Sequence, residues 1–517
     1  MSMVYDVIIA GAGPIGLFLA CELGLAHVTV LVLERDVKAE SPWKSNPLGR
    51  RGLNTIAVEG IYRRGMLSKL FDPAKRQFPR EKKAGFQFGG HFAGIAVNAN
   101  ALELDRWKYL IPGPGLSPGP VTIEQLETML SERAESLGVT ILRGTSVTKV
   151  SEQSEDSVTV EAGDDQTFHG RWLVGCDGGR SVVRKTAGFD FAGTEAKFTG
   201  YAAQCDIENV EKLAQGFHTT KSGMYVRAWA DALHLMDFDG ASFDRTKEIT
   251  KEHLQDVVRR VTGVPDVKIT KIHLASSFTD RSKQATTYRK GRVLLAGDAA
   301  HIHSPIGAQG LNLGLGDAMN LGWKLAATVR QESGAVGSQP DLTLLDTYEK
   351  ERHPIGERIL DWTRAQVSTL EPTPFGAAIQ ALVRDLINTA DGTNMLIERL
   401  WGFSLRYDLG NGDEVFHPLV GCSVPDFELQ DGSRLGSKLE QGKGLLVDFE
   451  DDSDLKDMVV GEPYATRVDY VGVDAKDCRD LRALLIRPDG VVAWVTEKNQ
   501  APDVDAAKAG LKRWFGS

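Results

Sequence analysis

Apolar and polar positions alternate with a period that changes repeatedly along the 517 residues, and each change marks an element. Val4-Tyr5-Asp6-Val7-Ile8-Ile9 is a short, β-branched run, as a buried parallel strand should be. Ile15, Leu19, Ala20 and Leu23 then recur at helical spacing, which predicts a helix with one apolar face. A second apolar strand, Val28 to Leu33, stops at Glu34. Residues 36–54 carry Pro42, Pro47, Gly49 and Gly52 and read as loop, whereas 55–70 return to helical marks at Ile56, Ile61 and Leu67.

The glycine- and aromatic-rich stretch from Gly85 to Asn100 predicts strands bordering a cavity, and the proline-laden 111–120 can only be loop. A helix over 122–137 is predicted by the stripe Leu126, Met129, Leu130, Ala134 and Leu137, with Glu124 and Glu127 favouring its first turn. Strands at 139–142, 146–150 and 157–161 suggest a small antiparallel layer. Another apolar strand runs into Asp177-Gly178-Gly179, and a further one, from Arg292, ends at Gly297-Asp298 before a helix that begins at 310–312 and runs to about Gln331. Between these lie the strand-like runs 198–206, 223–229 and 232–238 and a helical stretch near 247–260. Helical period fills 342–370 and 376–402. From about Phe416 the pattern becomes 444–449, 470–473, 483–487 and 491–495, with a Pro488-Asp489-Gly490 turn and an amphipathic C-terminal helix.

These shifts predict an α/β protein. A discontinuous Rossmann-like domain takes 1–75, 101–189 and 286–345, and a sheet domain of 76–100 and 190–285 is inserted in it. A helical connector spans 346–412, and 413–517 form an independent α/β unit. Composition changes little in that picture. The net charge of −10 argues against a nucleic-acid surface, and no apolar run reaches transmembrane length. Five scattered cysteines without a C-x-x-C pair, and a core strand beginning within four residues of the N-terminus, predict a reduced, cytoplasmic protein without a metal site. Monomer and homodimer both remain open.

The chemistry concentrates at the strand ends. Gly11-Ala12-Gly13-Pro14-Ile15-Gly16 is a G-x-G-x-x-G turn between strand and helix. Gly11 makes the turn, Gly13 lets backbone approach a pyrophosphate, and Gly16 lets helix and strand pack closely. Glu34 stands where a carboxylate accepts from a ribose, so FAD or NAD is favoured over NADP at this site. Arg35 comes next, and Arg50 or Arg51 could reach back to the same cofactor or be solvated charge. Asp177 and Asp298 close their strands beside glycines, as acids that contact a ligand do. The N–H groups of Gly310, Leu311 and Asn312 open a helix and can stabilise negative charge. His301 and His303 lack a third metal ligand nearby, and His91 reads as a structural histidine. Tyr225, Arg227 and Trp229 alternate onto one face that either lines a pocket or faces water.

With three ordered motifs, at 11–16, at Asp177-Gly178 with Arg180 and Arg184, and at Gly297-Asp298, the chain resembles the group A flavoprotein monooxygenases over essentially its whole length. It is most similar to the phenol hydroxylase and aromatic-polyketide hydroxylase type, whose para-hydroxybenzoate hydroxylase fold carries a C-terminal thioredoxin-like domain. The resemblance implies FAD as cofactor, NADPH or NADH as transient co-substrate, and dioxygen. Its product is a hydroxylated phenolic or polyketide-like aromatic, made through a flavin hydroperoxide. It places Asp177 at the pyrophosphate and Asp298 at the ribityl chain, with Pro305 and Gly307 bordering the ring; no side chain is singled out as a catalyst. Two positions depart from the family, Ile123 where many relatives carry Gln or Arg, and Gly307-Ala308 in place of a double glycine. Epoxidation, Baeyer–Villiger insertion or halogenation on the same fold, and a non-catalytic binding role, stay open as alternatives.

Overall fold

The computed structural model describes residues 4–72, 82, 84–334, 340–410, 417–461 and 463–516; the expected boundaries at 75/76 and 412/413 lie outside them. Its central sheet runs in the order 289–290, 293–295, 166–175, 4–10, 30–34, 140–143. All pairs from 293–295 to 140–143 are parallel. Both faces of these strands are covered, so Val7, Ile8, Ile9 and Leu31 to Leu33 are buried without alternation. The strand at 140–143 belongs to this parallel sheet rather than to the expected antiparallel layer, which holds only 147–153, 158–162 and the start of 166–175.

The helix Pro14–Leu25 corrects the expectation of a single apolar face: every residue from Gly16 to Gly24 is buried. It packs against both the Gly310–Gly334 and Ile123–Ser136 helices, and a helix clasped on two sides needs apolar residues all round. Thr122 and Gln125 close a capping box on the latter helix, which fixes where it starts. The expected helix over 55–70 is two, Thr55–Tyr62 and Leu67–Leu70, and that over 376–402 is also two, Pro374–Ile387 and Ala390–Trp401.

The inserted sheet is antiparallel in the order 216–219, 223–229, 232–237, 199–208, 268–279. The last and longest of these strands escaped the sequence pattern. One face packs on the helix Lys251–Thr262 through Tyr201, Tyr225, Leu235 and Val258. The other face, with Phe198, Met224 and Met236, packs on Phe92, Val97 and Ile306, and Ile306 belongs to the loop before Gly310. The C-terminal unit is a thioredoxin-like four-stranded sheet, 468–472, 444–448, 481–486, 492–497, with its first pair parallel. Buried Arg64, which pairs with Glu22, donates to the Leu439 and Pro488 carbonyls and so ties that unit to the nucleotide-binding half.

Candidate functional site

Parallel register brings the motif residues to one edge. Ala10 stands opposite both Leu33 and Gly175, and Gly175 stands opposite Leu295, so the strands end level. Gly11, Glu34, Asp177 and Asp298, at or just beyond those ends, therefore line one groove on the carboxyl side, where an open α/β sheet binds ligands.

The three glycines differ in what confines them. Gly11 has φ +105°, and a Cβ there would stand 2.6 Å from the Cys176 carbonyl oxygen; at Gly16 it would stand 2.0 Å from the Gly11 oxygen. A Cβ on Gly13 would meet nothing within 4 Å, so this position is kept open toward the groove rather than packed. Pro14 takes the first helical turn, where its missing N–H costs nothing. Glu34 accepts from the Ala12 N–H at 2.6 Å and the Asp36 N–H at 2.8 Å. It thereby braces the glycine turn and still has lone pairs for a ribose. Arg35 points away, largely exposed beside Asp36.

Asp177 caps the short helix after it, accepting from Val182 and Val183 N–H through Oδ2, while Oδ1 is buried without a partner among the described residues. His303 Nε2 and Ser304 Oγ are likewise buried and without a partner among the described residues. Asp298 is ringed by protein yet open to the groove. Burial raises its carboxyl above the ordinary range, with Asp317 adding to and His301 opposing that rise. His303 is pushed down to about 4 by burial; its Nδ1–H donates to the Ser304 carbonyl at 2.9 Å, so the neutral ring offers Nε2 to the groove as an acceptor. Behind the groove, Asp317 accepts from the Gly297 N–H at 2.9 Å and from Arg352 at 2.8 Å, and pairs with His301 Nε2 at 2.7 Å. Burial opposes its ionisation, but His301 and Arg352 outweigh it. The sequence reading missed Asp317, although an acid amid the glycines and leucines of the helix's first turns was a visible signal.

The loop from Pro305 to Asn312 closes one end of the groove. Gly307 and Ala308 both have positive φ, +91° and +54°. Asn312 is the lock: Oδ1 accepts from Asn54 N–H, and Nδ2 donates to the Gly52 and Ala308 carbonyls at 2.9 and 3.1 Å. The N–H groups of Gly310, Leu311 and Asn312 begin a helix that continues to Gly334. Ile123 donates its N–H to the Gly49 carbonyl, which ties the 42–52 loop to the helix that Ile123 opens.

The inserted sheet faces this loop, but not with the expected residues. Tyr225 and Arg227 point to the other side, Tyr225 into the core beneath the 251–262 helix and Arg227 onto the Val210 carbonyl. A bulge between Arg227 and Trp229 adds a residue and turns Trp229 to the face shared by Val226 and His234. There the Arg50 guanidinium lies 5.7 Å from the Trp229 ring centre. Arg51, which donates to the Leu48 and Arg50 carbonyls, is lowered from its ordinary value by burial. His234 is held near 4 by burial and by Arg51. His91 is structural, accepting from Gly94 N–H and lying against Phe217. Among the described residues no cluster of ligating side chains could hold a metal ion.

An open glycine turn, an acid bracing it, unpartnered acceptors and donors in the groove and a helix N-terminus at its end fit a dinucleotide with a flavin ring. Residues 4–363 match the FAD binding domain family, and 417–517 match the aromatic-ring hydroxylase C-terminal family. The chain belongs to this family of FAD-dependent monooxygenases. It is 50% identical to a monooxygenase of Claviceps purpurea over 516 residues, covering 99% of this chain and 98% of that one. A rifampicin monooxygenase of Streptomyces venezuelae is 35% identical, over 99% of each chain. The structure of the anhydrotetracycline hydroxylase of Streptomyces rimosus superposes with a TM-score of 0.83 at 32% identity over 100% of both chains.

Proposed function

We propose that this chain uses NADPH or NADH and dioxygen to hydroxylate a phenolic or polyketide-like aromatic compound. The observation that carries the reading is the meeting of two surfaces. The groove at the strand ends faces the inner side of the inserted sheet, with Arg50 over Trp229 where they join. A rifampicin monooxygenase and an anhydrotetracycline hydroxylase among the relatives support an aromatic substrate.

Bound FAD supplies the oxygen-transferring chemistry, and the chain supplies position, dryness and charge. Gly11 to Gly16, Glu34 and Asp177 would hold the pyrophosphate and ribose, Asp298 and His303 the ribityl chain. The N–H groups at 310–312 would favour negative charge at the ring's polar edge. Phe198, Met224, Met236 and Ile306 keep water from the cleft. Arg51, which has no carboxylate partner among the described residues, would favour an ionised phenol or enol oxygen in the cleft beside neutral His234.

The test is stopped-flow reduction of the bound flavin by NADPH and NADH across a panel of phenolic and polyketide-like aromatics, with labelled dioxygen. The expected result is slow reduction alone, faster reduction with one aromatic class, and one labelled oxygen atom in the product. Fast reduction that no aromatic changes, with no labelled product, would point to an oxidase or reductase instead.

A further inference from the structure

A cavity of about 530 Å³ lies outside the substrate cleft, between the start of the 310–334 helix, the outer half of the 343–370 helix and the end of the 390–401 helix. None of its lining residues comes from the inserted sheet. Its walls are apolar: Ile56, Leu313, Ile355, Ile359, Trp362 and Leu405. Two of its charges are cationic and unspent. Arg358, on the rim, has no hydrogen bond or ion pair to a described residue, and Arg399 only lies 5.4 Å from the Trp362 ring centre. Arg352 also reaches the cavity, but its guanidinium is taken up by Asp317, Tyr407 and the Leu313 carbonyl. The one carboxylate among the described lining residues, Asp361, is engaged by Arg364 at 2.8 Å.

Apolar walls of this volume suit a drug-sized ligand, and two free guanidiniums at the mouth select one that carries an anion. The rear of the cavity is formed by Gln309 and Asn312. Gln309 donates to the Gly307 carbonyl, and Asn312 joins Gly52, Asn54 and Ala308. We propose that this cavity is a second ligand site, separate from the flavin and substrate cleft, which takes an apolar aromatic carboxylate or similar anion and restrains the Pro305–Asn312 loop when filled. The binding half stands without the monooxygenase reading; the consequence for a flavin rests on it.

The probe is pyrene-butyrate, with neutral pyrene-butanol as its control, titrated by calorimetry against the FAD-loaded full chain. No turnover is needed, so failure here is distinct from failure of the hydroxylation assay. One-to-one binding of pyrene-butyrate is expected. The Arg358→Gln, Arg399→Gln double variant should weaken it by about tenfold or more and leave pyrene-butanol nearly unchanged. Ile359→Trp, which fills the cavity, should abolish binding of both probes while the flavin spectrum is retained. Ala365→Trp at the rim serves the same purpose if Ile359→Trp does not fold. Hydrogen exchange at 305–312 should slow with pyrene-butyrate bound. No binding at millimolar probe, or full binding in the filled variant, would overturn the site. So would binding lost in Trp229→Ala, which would put the probe in the substrate cleft. Unchanged exchange at 305–312 would overturn the coupling to the loop.

Discussion

Arg487, just beyond the third strand of the C-terminal sheet, donates from both terminal nitrogens to the two carboxylate oxygens of Glu351, at 2.8 Å each. Neither side chain is more than 2% exposed. Asp489 grips the other side of Arg487, and Lys324 reaches Glu351 at 3.1 Å. The seam between the nucleotide-binding half and the C-terminal unit is thus held by a satisfied buried ion cluster, not by apolar contact alone.

Breaking that cluster at Glu351 leaves Lys324 buried without its carboxylate and Arg487 with Asp489 alone. Glu351→Gln is expected to cost about 3–5 kcal/mol, since Arg487 and Lys324 lose their shared carboxylate in a buried site. Thermal unfolding of the FAD-loaded protein checks this. The same pair sets an acid limit. Burial alone would raise the Glu351 carboxyl, but Arg487 and Lys324 with their hydrogen bonds hold it down at about 2, below its ordinary 4.5. A folded-state value below the unfolded one gives stability that is present above about 4.5 and lost as pH falls toward about 2. Melting temperature plotted against pH should fall over that window, and the Gln variant should lack this component. A variant with an unchanged acid profile would remove Glu351 from the account.

Glu34 braces the glycine turn and, in the proposed function, also accepts from the ribose. Replacing it with Ala removes the acceptor for the Ala12 N–H and the carboxylate available to a ribose. FAD affinity should weaken by roughly 1.5–3 kcal/mol, the worth of a charge-assisted hydrogen bond. Equal affinity of variant and parent by fluorescence titration would overturn the ribose role.

The groove was legible because each of its residues ends an apolar run, and parallel register then makes strand ends coincide. Gly11, Glu34, Asp177 and Asp298 could be read that way without knowing any partner strand. The inner face of the inserted sheet could not. Alternation in 223–229 gives a period but not a direction, and the bulge after Arg227 reverses the side from which Trp229 projects. The burial of the 14–25 helix was hidden for a related reason: the helices that cover it come from 123–136 and 310–334, far along the chain. Lys324, Glu351 and Arg487 lie apart along the chain, and only packing shows them to be one cluster.

Cys422 and Cys478 bear on what the C-terminal unit does. Both are free thiols, and burial raises the Cys422 thiol, which lowers its thiolate content. Thioredoxin-type exchange needs two thiols within reach and a reactive thiolate. Changing both to Ser should leave turnover and flavin content as they were. A large fall in turnover with the fold intact would give this unit a redox part.

The loop beside the groove carries its own test at Ala308. Its φ of +54° is left-handed, where a Cβ crowds the next carbonyl and costs roughly 1–2 kcal/mol. The conformation is nevertheless over-determined. Ala308 N–H donates to the Pro305 carbonyl, and its own carbonyl accepts from Asn312 at 3.1 Å. Because the side chain is exposed, substitutions there act through the backbone and not through packing. Ala308→Gly removes the steric cost but gives the unfolded chain more freedom, so the two effects offset to within about 1 kcal/mol. Ala308→Val adds a branch where none is tolerated and should be clearly destabilising. Exchange at 307–309 should quicken in the glycine variant, since the methyl no longer narrows the choice of conformers, while the melting temperature holds. If glycine and valine lower stability alike, the left-handed geometry at 308 is not what shapes this loop.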